Sequence, residues 1–285
     1  MKPNPKRAVL IAGPTASGKS ALALDFAREE NGVIINADSM QVYRELRIVT
    51  ARPSLLDETQ AEHQLYGHVS ASEDYSVARW QRDVMNEIEI ALARNRLPII
   101  VGGTGLYFMS LLKGLSDVPE IRPEVREKWR GFTGNHHSEL ANRDRAMAAK
   151  LHPSDKQRLI RALEVIDSTG KSLLHWQETA EAPLKDFELR KLFKNVPREE
   201  LYKRADQRFD KMVEQGALEE VKALPPLHKD HPLMKAIGVP ELLQHVHGAF
   251  SLEEAKDAAK TATRQYIKRQ LTWWRGQMKD WTDVT

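Results

Sequence analysis

The 285-residue chain contains no cysteine. Disulfides, thiolate metal sites and cysteine nucleophiles are therefore excluded. No apolar run approaches the ~20 residues a helix needs to cross a bilayer. The basic start, Met1-Lys2-Pro3-Asn4-Pro5-Lys6-Arg7, leads into an apolar run too short for a secretory signal. A cytoplasmic location with no membrane partner is expected. The ten histidines show no metal-ligand spacing; His245 and His247, two apart, would diverge on a helix. Charge of one sign is not in large excess either, since 43 Lys and Arg stand against 40 Asp and Glu for a net charge of +3. That balance permits a nucleic-acid partner without demanding one, so the placement of the charges matters more than their sum. The remaining composition, 41% apolar and 29% charged, suits a globular protein with a sizeable core.

One stretch organises the rest. Gly13-Pro14-Thr15-Ala16-Ser17-Gly18-Lys19-Ser20 fits G-x-x-x-x-G-K-[ST], a phosphate-binding loop. The apolar run 8–12 before it reads as a buried parallel strand. Residues 20–27 after it read as a helix with Ala23, Phe26 and Ala27 on one face. In such a loop the glycines let backbone N–H groups converge on phosphate oxygens, and the helix N-terminus adds the positive end of its dipole. Lys19 would reach a terminal phosphate and the Ser20 hydroxyl would hold Mg2+. The loop does not say whether its phosphates belong to a nucleotide.

Residues 32–37 form a second strand that runs into Asp38-Ser39. Ligands of open α/β sheets bind beyond the carboxyl ends of the strands. Asp38 therefore stands where a Mg2+ ligand, a general base or a helix N-cap would stand. A helix from Ser76 to about Arg94 carries Val77, Trp80, Val84, Ile88, Ala91 and Leu92 at core-facing spacing. The third strand, 97–101, ends in Gly102-Gly103-Thr104-Gly105, a second glycine-rich turn that lets backbone approach a ligand closely. A phosphate-loop ATPase or GTPase would show an apolar strand ending in Asp, which helps place Mg2+. This strand ends in glycine, which weakens the nucleotide-hydrolase reading.

From about 114 to 183 the pattern turns helical and charged, as an α-helical insertion in an α/β core. Its helix after Asp155 puts Arg158 and Arg161 three apart, able to share a face. The core then resumes with a strand at 188–193, whose charges argue for an edge position. In the helix from about Glu199 to Gln215, Leu201, Ala205, Phe209 and Met212 form the buried stripe, and Arg208 falls at its margin. An arginine there either snorkels or turns its planar fork to phosphate oxygens. The last helix, about 252–275, sets Ala255, Ala259, Ala262, Tyr266 and Trp273 on one face and Arg264, Lys268 and Arg275 on the other. The basic face is either solvated or a groove for a phosphate backbone, with Tyr266, Trp273 or Trp274 available for base stacking.

Taken in order, eight blocks resemble one family, the tRNA dimethylallyltransferases or tRNA isopentenyltransferases. They are 13–20, Asp38-Ser-Met-Gln-Val-Tyr43, Thr50-Ala-Arg-Pro53, Val101-Gly-Gly-Thr-Gly-Leu-Tyr107, His152-Pro-Ser-Asp155, Arg161-Ala-Leu-Glu164, Gln207-Arg-Phe209 and Arg264-Gln-Tyr-Ile-Lys-Arg-Gln-Leu-Thr-Trp273. The resemblance implies a phosphate-loop, nucleotide-kinase-like parallel sheet flanked by helices (6–113 and 184–285). It also implies an inserted all-helical domain (114–183) that grips the tRNA anticodon stem-loop. The activity implied is transfer of a dimethylallyl group from dimethylallyl diphosphate to the N6 amine of adenosine 37, with Mg2+ as cofactor and a monomer as the acting species. By motif match, Asp38 is the general base, with Thr104 and Arg208 beside it at the reacting centre. Gly13, Thr15, Ala16, Ser17, Gly18, Lys19 and Ser20 hold the diphosphate, with the metal at Ser20. Ser39, Gln41, Arg158, Arg161, Arg264, Lys268 and Arg269 face the tRNA.

Residues 45–52 depart from the Gly-Met-Asp-Ile-Gly-Thr-Ala-Lys common in the family, and Arg145 stands where a proline is common. No zinc-finger segment of the eukaryotic kind is read in these residues, and a bacterial-type minimal member is expected. Two other readings fit parts of the sequence: a small-molecule or nucleotide kinase, and a non-catalytic tRNA-binding relative.

Overall fold

The computed structural model describes residues 5–285. Its strands are β1 (Lys6–Ala12), β2 (Gly32–Asn36), β3 (Glu62–Gln64), β4 (Leu97–Gly102), β5 (Phe187–Lys194) and β6 (Thr282–Val284). They form one parallel sheet in the order β3-β2-β4-β1-β5-β6. The helices are α1 (Lys19–Glu29), α2 (Leu55–Gln60), α3 (Val77–Ala93), α4 (Gly105–Lys113), α5 (Pro123–Gly131), α6 (His136–Arg143), α7 (Arg145–Ala148), α8 (Lys156–Thr169), α9 (Leu173–Glu178), α10 (Arg198–Glu214), α11 (Ala217–Lys222), α12 (Val239–Val246) and α13 (Leu252–Gln277).

The chain divides into two compact units: residues up to Met109 together with Asp186–Thr285, and Ser110–Lys185. In the first, β2 and β4 are buried along their whole length. Parallel strands covered on both faces have no solvent side, so they read as continuous apolar runs. Val9, Ile11, Ile34 and Ile99 pack with Phe26 of α1 in this core. Trp80 of α3 is fully buried, as its spacing predicts. It stacks on Tyr107 with centroids 4.0 Å apart, and its Nε1 donates to the Asn36 carbonyl (2.9 Å).

Two expectations need correction here. The charged strand β5 is not at the edge of the sheet; it lies between β1 and β6. But β6 pairs only with Leu192–Lys194, so the amino half of β5 has an open side where Glu188 and Arg190 meet solvent. The second correction is on α13. Its buried residues are Ala255, Ala259, Thr263, Ile267, Gln270, Leu271 and Trp274, a stripe turned roughly a fifth of a turn from the expected one. Two polar residues lie in it because each is satisfied, Thr263 by donating to the Ala259 carbonyl (2.8 Å) and Gln270 as described below. Trp274 is buried against Phe108, Phe193 and Trp281 and is not available for base stacking. Three cations of α13 also face α10: Arg264 pairs with Asp206 (2.7 Å), and Lys256 and Lys260 share Asp210 (3.2 and 2.8 Å).

The second unit is helical, with its own core of Trp129, Leu140, Leu159 and Leu163. Its longest helix, α8, starts at Asp155, whose side chain caps Arg158 N–H, and stops at Gly170 in the left-handed region (φ 68°). Trp129 Nε1 and Lys128 Nζ both donate to Asp167 Oδ2 (2.9 and 2.7 Å). Burial pushes the Asp167 carboxyl up, but these hydrogen bonds outweigh it and hold the group below the usual carboxylate range.

Candidate active site

Because the strands are parallel, the segments that leave the carboxyl ends of β1, β2 and β4 emerge on one edge of the sheet. These are residues 13–18, 37–40 and 102–104. In the first, Gly18 caps α1 at φ 85° with no side-chain bond, so the first amides of α1 remain orphan donors. A Cβ on Gly13 would lie 2.8 Å from Ser17 Oγ and 3.2 Å from the Lys194 carbonyl, so this corner takes no larger residue. Ala16 holds φ 64°, and Ser17 is fully buried.

Lys19 folds back over the loop and donates from Nζ to the Pro14 carbonyl (3.2 Å). Burial pushes its ammonium from 10.5 down to about 8, with Asp38 opposing the shift and Arg208 adding to it. Arg208 does not snorkel. Its Nη2 donates to Thr15 Oγ1 at 2.6 Å, and burial, opposed by Asp38, lowers its pKa.

Asp38 is not a helix N-cap, because the next helix begins only at Leu55. Its Oδ1 accepts the Met40 N–H (2.9 Å). Its backbone is fixed by Asn36, a fully buried residue whose Oδ1 accepts Asp38 N–H (2.8 Å) and whose Nδ2 donates to the carbonyls of Asp38 (3.0 Å) and Leu65 (3.1 Å). Three phenols also feel the Asp38 charge. Tyr66, Tyr107 and Tyr266 are pushed up first by burial and next by Asp38. The carboxylate thus stands among two cations and three neutral tyrosines.

The turn after β4 is stitched to that carboxylate. A Cβ on Gly102 would strike the Ala37 carbonyl. Thr104 N–H donates to the Ala37 carbonyl (3.2 Å), and its Oγ1 accepts Ser39 N–H (2.9 Å). Gln270 closes the ring: its Oε1 accepts Thr15 N–H and its Nε2 donates to the Gly103 carbonyl, both at 3.0 Å. Sequence reasoning assigned Gln270 no role. The available signal was a polar residue on the apolar stripe of α13. Asn36, a polar end to an apolar strand, was missed in the same way.

A cavity of about 280 Å3 opens between these segments. Thr15, Asp38 and Arg208 give it a polar side, and Val49, Phe209, Met212 and Ile237 give it an apolar one. Val49 belongs to the stretch that departs from the common family pattern, and this stretch is firmly held. Glu220 accepts Arg47 N–H and Ile48 N–H on Oε1 (both 2.7 Å) and Val49 N–H on Oε2 (2.8 Å).

The residues expected to face tRNA are dispersed. Ser39 and Arg269 line the cavity, and Arg269 lies 5.6 Å from the Tyr266 ring centroid. The Gln41 amide is used internally, donating to the carbonyls of Thr50 (2.8 Å) and Ala51 (3.0 Å). Arg264 is ion-paired, while Lys268 is exposed. Arg158 and Arg161 are exposed on α8, near Asp155 (3.5 Å) and Glu164 (3.8 Å) respectively. Ser20 is exposed, and among the described residues no group of three or more His, Asp or Glu side chains could hold a metal.

Fold and site together define a phosphate-loop α/β protein with a carboxylate near its loop, both lining one amphiphilic cavity. The chain belongs to the IPP transferase family, which it matches over residues 41–277. It is 49% identical over 282 residues to a tRNA dimethylallyltransferase of Azorhizobium caulinodans, with 96% of this chain and 90% of the relative covered. To one of Nitrobacter hamburgensis it is 50% identical over 285 residues, again covering 96% and 90%. Among solved structures it is similar to a eukaryotic dimethylallyltransferase acting on tRNA, at 33% identity and TM-score 0.83 over 94% of this chain and 70% of that one. It is also similar to the tRNA isopentenylpyrophosphate transferase of Bacillus halodurans, at 34% identity and TM-score 0.70 over 98% and 90%.

Proposed function

We propose that the chain transfers a dimethylallyl group from dimethylallyl diphosphate to the N6 amine of adenosine 37 in tRNA. The cavity carries this reading. Thr15 of the phosphate loop, Asp38 and Arg208 line it together with the apolar Val49, Phe209, Met212 and Ile237. A charged diphosphate head with a short apolar tail matches that mixed lining. The relatives named as tRNA dimethylallyltransferases support the same reading.

An exocyclic adenine amine is a weak nucleophile. Asp38 takes its proton as the C–N bond forms, an aid typically worth about 10²–10⁴-fold. The C–O bond of the donor breaks and both its electrons leave with the diphosphate. Lys19, Arg208 and the orphan amides of α1 oppose the charge that develops there. The exposed Ser20 hydroxyl would hold Mg2+; when bound, the ion would neutralise leaving-group charge. The adenine must leave its stack to reach Asp38. Lys268 and Arg269 on α13 and Arg158 and Arg161 on the helical unit are the cationic contacts for the anticodon arm in this reading, which takes the acting species as a cytoplasmic monomer.

The test is a transfer assay with unmodified tRNA and labelled dimethylallyl diphosphate, in which label is expected in the tRNA. Tight ATP binding with no binding of the prenyl diphosphate would instead establish a kinase.

A further inference from the structure

Arg208 has a second side. It also lines a cavity of about 320 Å3 with Arg47, Arg52 and Lys211, and no carboxylate lines that cavity. Arg208 and Met212 are common to it and to the cavity that holds Asp38. Arg52 further lines a third cavity, of about 270 Å3, together with Ser20 of the phosphate loop.

The four cations are unevenly satisfied. Arg47 pairs with Glu58 (2.9 Å) and donates to the Pro53 carbonyl (2.8 Å). Arg52 makes only two long bonds, from Nη1 to the carbonyls of Tyr43 and Arg44 (both 3.3 Å), and its Nε is buried without a partner. Burial and then the like charge of Arg47 lower its pKa, against Glu58 and Glu220. Lys211 lies one turn beyond Arg208 on α10, exposed and with no ion pair among the described residues. Cations gathered at this density, two of them partly desolvated, are relieved by an anion.

We propose that this cavity is a second anion site, which takes inorganic diphosphate as it leaves the phosphate loop. The proposal rests on the prenyl-transfer reading for the source of that diphosphate. Arg208 makes the hand-over physically direct. A guanidinium has five N–H donors in a planar fork; one nitrogen is engaged by Thr15, and others remain for an anion on either side. The product would move from loop amides and Lys19 to Arg52 and Lys211 without losing its contact to Arg208.

Calorimetry with inorganic diphosphate on the full chain decides the matter. Lys19→Ala weakens the loop grip and leaves measurable diphosphate binding. Adding Lys211→Gln, an exposed position that leaves the fold intact, weakens this residual binding about tenfold, as loss of one charge-assisted bond does. In the otherwise unaltered chain, Lys211→Gln leaves single-turnover transfer unchanged and slows steady-state turnover severalfold, because product departs less readily. The proposal is overturned if Lys19→Ala removes all diphosphate binding, or if Lys211→Gln leaves the residual affinity unchanged. It is also overturned if Lys211→Gln flattens the salt dependence of tRNA binding while diphosphate binding is untouched, which would assign the cavity to an RNA backbone. The titration reads binding whether or not prenyl transfer occurs. A failure of the transfer reading would show separately, as no single-turnover product in the unaltered chain.

Discussion

The phosphate loop and helix α13 meet at one hydrogen bond, from Thr15 N–H to Gln270, and are built in opposite ways. The loop works through its backbone: Gly18 and Ala16 hold positive φ, Gly13 leaves no room for a Cβ, and the donors are amides. The helix works through side chains, and what each does is set by what lies beside it. Arg264 meets Asp206, Trp274 meets Phe108 and Trp281, and Gln270 meets two backbone groups. A loop of this kind carries its function in its own conformation. A helix face acquires one only from its neighbours.

If chemistry resides on the loop side and RNA contacts on the helix side, mutants should separate them. The largest effect is expected from Asp38→Asn, which should lower single-turnover transfer by about 10²–10⁴-fold and leave tRNA affinity unchanged; lost tRNA binding with normal turnover would reverse the assignment. Gln270→Leu comes next, because it joins the two regions. It strands the Thr15 N–H and the Gly103 carbonyl, each costing about 1–3 kcal/mol if left buried and unpaired. The denaturation midpoint should fall and transfer with it, whereas Gln270→Glu, which still accepts from Thr15, should lie between.

A smaller effect is expected from pH. Burial holds Lys19 near 8, and the diphosphate needs its charged form. Affinity for dimethylallyl diphosphate should be full below pH 8 and fall as pH rises through that value, by up to about tenfold per unit. Lys19→Arg, whose charge persists, should flatten the profile in a titration series. The finest test sits within α13 itself. Lys268→Ala should reduce the slope of log affinity for tRNA against log salt by about 0.7–1. Arg264→Ala should leave that slope nearly unchanged and cost about 0.5–1 kcal/mol of stability through its pair with Asp206. Equal slope changes would mean that Arg264 leaves Asp206 when RNA binds.

The same division explains what could be read in the sequence. β1, β2 and β4 were legible because burial on both faces leaves an unbroken apolar run. The loop was legible because its glycines and Lys19 are demanded by local geometry. β3 and β6, three residues each, are too short for any period to show, and α4 starts at Gly105, inside what reads as a turn. Asp38 and Arg208 stood out as polar residues at a strand end and a stripe margin, and Thr104 entered only through the family resemblance. Glu220 and Gln270 did not stand out, because each serves backbone groups far along the chain, and Asn36 did not, because its bonds to Asp38 and Leu65 depend on how the chain turns after β2. The aromatic pair Trp273 and Trp274 shows the limit most plainly: adjacent residues of one type, of which only the second is buried.

The Thr15–Gln270 bond spans 255 residues, and that separation bears on synthesis. The phosphate-loop motif is synthesised long before the residues that brace it. Its central strand β1 then waits for β5, Thr15 waits for Arg208, and its amide waits for the final helix. Long-range pairings of this kind form late and slowly. A nascent chain that stops short of α13 would display every residue of the motif with Thr15 unbraced and part of the cavity wall missing. Competence for chemistry therefore waits until α13 has been made and has docked on the loop.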